Sequence, residues 1–272
     1  MLNVFARYRR FFVNYINALA RVFLKKYPFD VILRGTMERV TIISSLAAYL
    51  YSEGLHAVTI NEKENVVSFI FQERRLSFKG AVVNGDLGAA FGEYGSIPVL
   101  GKDVLDVGAS IGDSPIYFAI SGAKRVIALE PVPQTYELAK FNIAGNGFES
   151  KVKLLNVGLA PVTRKASVRF TEQPNTKTSL SQATDGIEVQ LMSLKDVVNA
   201  YDLVDSVLKM DCEGCEYEVI LDAEPSVLRR FTAIEIEFHN RPCRLVEKLR
   251  SCGFKVIYSH WGKIGYVRAY RS

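Results

Sequence analysis

Two short stretches hold side chains of the right type and spacing for proton chemistry. Asp211 and Glu213 are two apart, and so are Glu237 and His239. Residues i and i+2 of an extended strand share a face, so Glu237 and His239 can point the same way. An imidazole titrates near neutrality and can take the proton of an alcohol while a bond forms to its oxygen. Asp211 or Glu237 could serve as that base instead, or could orient the ring. The same groups could hold a divalent metal, but carboxylates with one histidine are permissive rather than diagnostic, and no metal ligand is assigned. The competing reading makes Glu213-Gly214 a capped turn and His239 a structural hydrogen-bond donor. Cys212 and Cys215 form a C-x-x-C, whereas Cys243 and Cys252 are too widely spaced to complete a zinc site with them, so neither a zinc nor a redox role is expected.

A second constellation concerns binding. Val104-Leu-Asp-Val-Gly-Ala-Ser-Ile-Gly-Asp113 reads as a buried strand, a glycine turn and a helix start. In doubly wound folds ligands sit beyond the carboxyl ends of the strands, where this loop lies. Gly108 and Gly112 allow close backbone approach. The next strand ends at Glu130, whose carboxylate can accept both hydroxyls of a ribose. A dinucleotide site would use G-x-G-x-x-G to seat a pyrophosphate on a helix N-terminus, and this loop lacks that spacing. Asp106 at the strand end and Asp113 at the helix start would repel a pyrophosphate; they suit a ligand bearing an ammonium and a sulfonium. Asp113, ahead of Ser-Pro, also reads as an N-cap.

Elements of alternating type must position these groups. Strands are expected at 103–107, 125–129, 152–155, 206–210, 233–238, 255–259 and 264–269, with helices at 114–121, 134–145, 194–200, 217–221 and 243–252. Such alternation implies a mostly parallel sheet covered on both faces. The connection 259–263 is too short for a parallel crossover, so the last two strands should form an antiparallel edge hairpin. Segments 168–170 and 187–190 add a small excursion. The fold expected is a doubly wound, Rossmann-like α/β domain over 99–272, with a seven-stranded sheet and an antiparallel last strand. A helical and small β extension over 1–98 precedes it. There, 1–26 reads as one amphipathic helix ended by Tyr27-Pro28, 36–52 as a second helix closed by Gly54, 56–60 and 66–71 as two strands, and 80–95 as a glycine-rich connection.

Three elements together carry a family resemblance: Leu105-Asp-Val-Gly-Ala-Ser-Ile-Gly-Asp113, Val126-Ile-Ala-Leu-Glu-Pro131 and Lys209-Met-Asp-Cys-Glu-Gly-Cys-Glu216. They resemble the FkbM family of class I S-adenosylmethionine-dependent methyltransferases. Leu191-Met-Ser-Leu-Lys-Asp-Val-Val198 and Ile236-Glu-Phe-His239 also fit it, and the resemblance spans roughly 90–270. It implies that Asp106, Gly108 and Ser110 line the methionine end of the cofactor, that Glu130 binds the ribose hydroxyls, and that Asn156 lies near the adenine. Many relatives carry an acid at that last position. It further implies O-methylation of a sugar or other small hydroxyl compound, and hence a small-molecule acceptor, sugar or glycolipid.

Composition bounds the alternatives. The 272 residues are 49% hydrophobic and carry a net charge of +5. Residues 1–29 hold Arg7, Arg9, Arg10, Arg21, Lys25 and Lys26 and no acid, leaving 28 basic against 29 acidic residues in the remainder. That near-neutral body does not suit a general nucleic-acid binder, and no Asn-Pro-Pro-Tyr-type element supports an RNA methyltransferase. A non-catalytic cofactor- or partner-binding module is the other rival; Asp106, Glu130 and Asp211 together argue against a decayed site. The longest apolar run, 40–52, is too short to span a bilayer, and no clean secretory pattern opens the chain, so a cytoplasmic location is expected. The basic, aromatic N-terminal helix could rest on an anionic membrane, pack on its own chain or join a second subunit.

Overall fold

The structure is a computed structural model describing residues 4–84, 87, 91, 94–169, 181–182, 186–239, 241–261 and 264–271. It divides into two compact units, Met1–Ser96 and Ile97–Ser272.

In the first unit the segment expected as one helix forms two, Val4–Phe11 and Tyr15–Phe23. The break has a hydrogen-bonding cause. Val13 N–H donates to Ile32 O at 2.8 Å, and the Asn14 side chain bonds both Asp30 O and Ile32 N–H at 3.0 Å. The chain at 12–14 thus pairs with strand β1, Phe29–Ile32, instead of continuing the helix. The helix expected over 36–52 is likewise shorter. Its first part is strand β2, Arg39–Ile42, antiparallel to β1, as its β-branched Val40, Thr41 and Ile42 favour. The helix proper, Ser45–Ser52, starts after Ser44, whose Oγ accepts from Ala47 N–H. Strands β3, His56–Asn61, and β4, Val66–Phe71, match expectation. A third strand, β5, Arg74–Lys79, pairs with β4 and was not anticipated. Its turn is Gln72-Glu73, both at positive φ, without the glycine or asparagine that normally marks such a turn. The stretch 80–95 is described only in part.

The second unit is a seven-stranded sheet: β6 Asp103–Val107, β7 Arg125–Leu129, β8 Val152–Leu155, β13 Ser206–Met210, β14 Phe231–Phe238, β15 Phe254–Trp261 and β16 Ile264–Arg271. Their order is β15-β16-β14-β13-β6-β7-β8. All run parallel except β16, which pairs antiparallel with both β14 and β15. The last strand therefore inserts between β14 and β15. Helices Asp113–Ile120, Pro133–Gly145, Leu194–Ala200, Glu216–Asp222 and Cys243–Ser251 alternate with these strands. The central strands are buried along their length, the pattern of a sheet covered on both faces. The excursion is a second sheet of four strands, β9 Val157–Leu159, β10 Arg164–Arg169, β11 Ser181–Gln182 and β12 Ile187–Met192. Phe170, placed in it from sequence, lies outside the described residues.

Candidate active site

The carboxyl edge of the sheet is built in rows. The first row crosses four neighbouring strands: Asp106 on β6 pairs in register with Lys209 on β13, Lys209 with Glu235 on β14, and Glu235 with Arg268 on β16. Charge alternates along it. Lys209 Nζ lies 3.0 Å from Asp106 Oδ1 and donates to Gly108 O at 2.9 Å. Ser114 Oγ donates to the other Asp106 oxygen at 2.7 Å. Arg268 ion-pairs with Glu235. Asp106, expected to line the methionine end of the cofactor, is wholly buried, its carboxylate on Lys209 and Ser114. Burial pushes its pKa up, with Lys209 and Ser114 opposing. Burial also works against the Lys209 ammonium, but Asp106, Asp211 and Asp113 outweigh it and hold its pKa above the ordinary lysine value. Through Lys209, the ion pair grips the backbone of the glycine turn.

That turn runs through positive φ at Gly108 (82°), Ser110 (47°) and Gly112 (90°). A Cβ on Gly108 would lie 1.8 Å from the backbone oxygen of Asp211, so glycine is obligatory there. A Cβ on Gly112 would meet the Ala139 backbone oxygen at 3.0 Å. Gly112, not Asp113, occupies the N-cap position; Asp113 is the first helical residue, which corrects the capping expectation. Its buried carboxyl accepts the N–H groups of Asp113 and Ser114, yet burial pushes its pKa up to about 7. Glu130 Oε2 accepts from Ser110 N–H at 3.0 Å and Oε1 from Val132 N–H at 2.9 Å. Burial pushes this carboxyl to about 7 as well, the two N–H groups opposing. Glu130 therefore ties the loop after β6 to the loop after β7. Asn156, exposed beyond β8, donates its amide to Glu130 O at 2.8 Å and Pro131 O at 3.1 Å.

Two residues further along the strands come the groups suited to proton transfer. Glu237 pairs in register with Tyr266, whose hydroxyl donates to Glu237 Oε2 at 2.9 Å. The other Glu237 oxygen lies 3.4 Å from His239 Nε2. Glu213 Oε2 approaches the same nitrogen to 3.3 Å. The structure thus brings Glu213, Glu237 and His239 together around one ring nitrogen. Both ring nitrogens are buried and make no hydrogen bond, although a quarter of the side chain is exposed. Asp211 sits against the glycine turn: its N–H donates to Val107 O at 3.0 Å, and its Oδ1 is buried without a hydrogen-bond partner. Glu213 adopts positive φ (57°) in the turn that follows β13. Glu216 shapes that turn, accepting from Cys212 N–H and Gly214 N–H at 3.0 Å each. Cys212 and Cys215 are joined as a disulfide, a pairing not expected from sequence.

Lys209, Glu216, Glu235 and Tyr266 carry much of this architecture and were given no role from sequence. A signal existed for two of them. Lys209 and Glu235 stand inside strands buried along nearly their whole length, and a charge inside a doubly covered strand must find a buried partner. Among the described residues no group of three or more His, Cys, Asp or Glu side chains is arranged to hold a metal ion.

Residues 106–256 match the family model described as "Methyltransferase FkbM domain", more than half of the chain. No curated protein sequence matches. Among solved structures, the chain is similar to the METTL16 MTase domain, with 13% identity over 94% of this chain and 91% of that one at a TM-score of 0.46. It is also similar to a candidate tRNA (m1A22) methyltransferase of Streptococcus pneumoniae in complex with S-adenosyl-L-methionine: 20% identity, 65% and 69% coverage, TM-score 0.43. A third is the ribosomal protein L11 methylase of Lactobacillus delbrueckii subsp. bulgaricus: 17% identity, 72% and 82% coverage, TM-score 0.40.

Proposed function

Because this chain belongs to the methyltransferase FkbM domain family, we propose that it binds S-adenosylmethionine at the tips of β6 and β7 and methylates a hydroxyl group of a small acceptor. The residues present fit that cofactor. Glu130 has received one backbone donor on each oxygen, and each carboxylate oxygen can accept a second bond, as a ribose diol requires. Asp106, Asp113, Glu130 and Asp211 gather around one ammonium, Lys209, so that as Asp113 and Glu130 ionise above about pH 7 the surplus charge is negative and favours a cationic ligand. Asp211 Oδ1, buried without a partner, is a further acceptor for that ligand. The chemistry supplied by bound S-adenosylmethionine is an electrophilic methyl group on a positively charged sulfur.

The chain's own task is then to position a hydroxyl and receive its proton. The observation that carries the assignment is His239 Nε2 flanked by Glu213 and Glu237 at 3.3 and 3.4 Å. A proton taken by the imidazole leaves a cation, and two carboxylates beside it stabilise that product. Tyr266 holds Glu237 in place through its hydroxyl. Alignment of donor and acceptor supplies most of the acceleration in such a displacement, so the base adds a moderate factor, on the order of 10²–10⁴.

The test is a screen of hydroxylated sugars and glycolipids, with RNA and protein acceptors alongside, using isotopically labelled methyl donor. His239→Ala should lower turnover with little change in donor affinity, whereas Glu130→Ala should weaken donor binding. Label appearing only in RNA or protein, or the reverse pattern in the two variants, refutes the assignment.

A further inference from the structure

The two N-terminal helices bury one apolar face and leave a second exposed. In Tyr15–Phe23 the residues Tyr15, Ala18, Leu19 and Val22 pack into the core of the first unit, together with Tyr8, Phe12 and Phe29. That core satisfies the amphipathic pattern read from the sequence. Yet Ile16, Ala20 and Phe23 recur at i, i+4 and i+7, which sets them on a separate stripe of the same helix. Ile16 is 66% exposed and Phe23 87%, with Leu24 beside them at 57%. Large side chains this open, grouped on one helix, mark an interaction surface rather than ordinary surface scatter.

The charge around the stripe selects its occupant. Arg9, Arg10, Arg21, Lys25 and Lys26 are exposed on the same short segment, which contains no acid. Arg7 is excluded from that set because it is paired with Glu53. Nearby Asp30 is matched by Arg39. Exposed cations that form no ion pair among the described residues, on the same segment as protruding aromatic and aliphatic side chains, match the interface of an anionic bilayer, where the apolar groups enter the acyl boundary and the cations meet lipid headgroups. A nucleic acid would use the cations and leave Phe23 and Ile16 in water. No described helix is long and apolar enough to cross a membrane, so the contact is peripheral.

We propose that the face bearing Ile16 and Phe23, with Leu24 and the exposed cations Arg21, Lys25 and Lys26 of the same segment, docks this chain on an anionic lipid surface. The proposal is independent of the methyl-transfer assignment.

Cosedimentation of the full chain with phosphatidylcholine vesicles, with and without phosphatidylserine, tests it. The chain should sediment with the mixed vesicles, release as salt rises, and remain in solution with phosphatidylcholine alone. Ile16→Glu with Phe23→Glu should weaken binding at least about tenfold, since both apolar contacts are lost and two acids gained. Arg21→Ala, Lys25→Ala and Lys26→Ala should each weaken it roughly fivefold. Because these side chains lie outside the core, circular dichroism should be unchanged. The proposal is overturned if vesicles are not bound, if the double glutamate variant binds as well as the parent, if the stripe instead holds two copies together by sedimentation velocity, or if RNA rather than lipid retains the chain.

Discussion

Replacing Lys209 by methionine removes the cation at the centre of the first row while nearly preserving side-chain volume. Its Nζ lies 3.0 Å from Asp106 Oδ1, with the side chains 2% and 0% exposed. At that distance two unit charges attract by ~5 kcal/mol at an effective dielectric constant of ~20. Desolvation of both groups offsets much of this in the intact pair, so the pair itself contributes little net stability. Removing one partner is a different matter, because it leaves Asp106 buried and uncompensated, at a cost of ~3–5 kcal/mol. The hydrogen bond from Lys209 to Gly108 O is lost as well. For a domain of this size the cost corresponds to a melting temperature lower by ~6–20 °C. The assay is urea denaturation of four proteins: the parent, Lys209→Met, Asp106→Asn and the double variant. The double variant should recover at least ~2 kcal/mol relative to the sum of the singles, because neither stranded charge remains. A Lys209→Met cost below ~1 kcal/mol, or strict additivity, would refute the claim that this pair is a buried electrostatic unit.

Other parts of the site give further expectations. Gly108→Ala and Gly147→Ala impose similar backbone strain, at φ 82° and 76°, but only the first drives a methyl group into backbone. Gly147→Ala should cost ~1 kcal/mol, whereas Gly108→Ala should abolish methyl-donor binding by calorimetry; equal effects would contradict the close contact. Glu216→Ala strands two N–H groups and should cost ~2–4 kcal/mol by urea denaturation, and Glu216→Gln should cost less; a cost near zero for the alanine variant would show that the turn does not depend on it. Asp113 and Glu130 have folded pKa values raised to about 7, so the native state binds protons that the unfolded chain releases between roughly pH 4 and 7. Their contribution is fully present below about pH 4 and is lost as pH rises to about 7; stability of the ligand-free protein from this source should therefore fall between about pH 4 and 7 and level off above that, and Asp113→Asn should flatten the profile. A profile that is the same in both proteins contradicts the raised Asp113 value.

The sheet was legible because its strands announce themselves. Val126–Leu129 is an apolar, short run bounded by charge, Val104–Val107 is broken only by Asp106 and ends at a glycine, and the periodicity changes between them. The juxtaposition of Glu237 and His239 was also legible, since their spacing places both on one face whatever the neighbours do. What connects the site was harder to read. The pairing of Asp106 with Lys209 depends on register between strands over a hundred residues apart, and no local pattern encodes it. The break at Asn14 depends on a partner strand fifteen residues downstream, and helix periodicity on both sides of it reads through without interruption. The turn at Gln72-Glu73 uses residues with no special preference for positive φ, so β5 stayed hidden.

The claim on which the proposed function rests is that the acidic strand tips form a site for a cationic nucleoside. Isothermal titration of the ligand-free protein with S-adenosylmethionine and with uncharged-sulfur S-adenosylhomocysteine, repeated at pH 6 and pH 8, addresses it directly. One site should be seen for each, lost in Glu130→Ala, with the sulfonium form gaining affinity relative to the thioether as Asp113 and Glu130 ionise on going to pH 8. Absence of binding by both, or tighter binding of a pyrophosphate-bearing dinucleotide at the same place, would contradict the account.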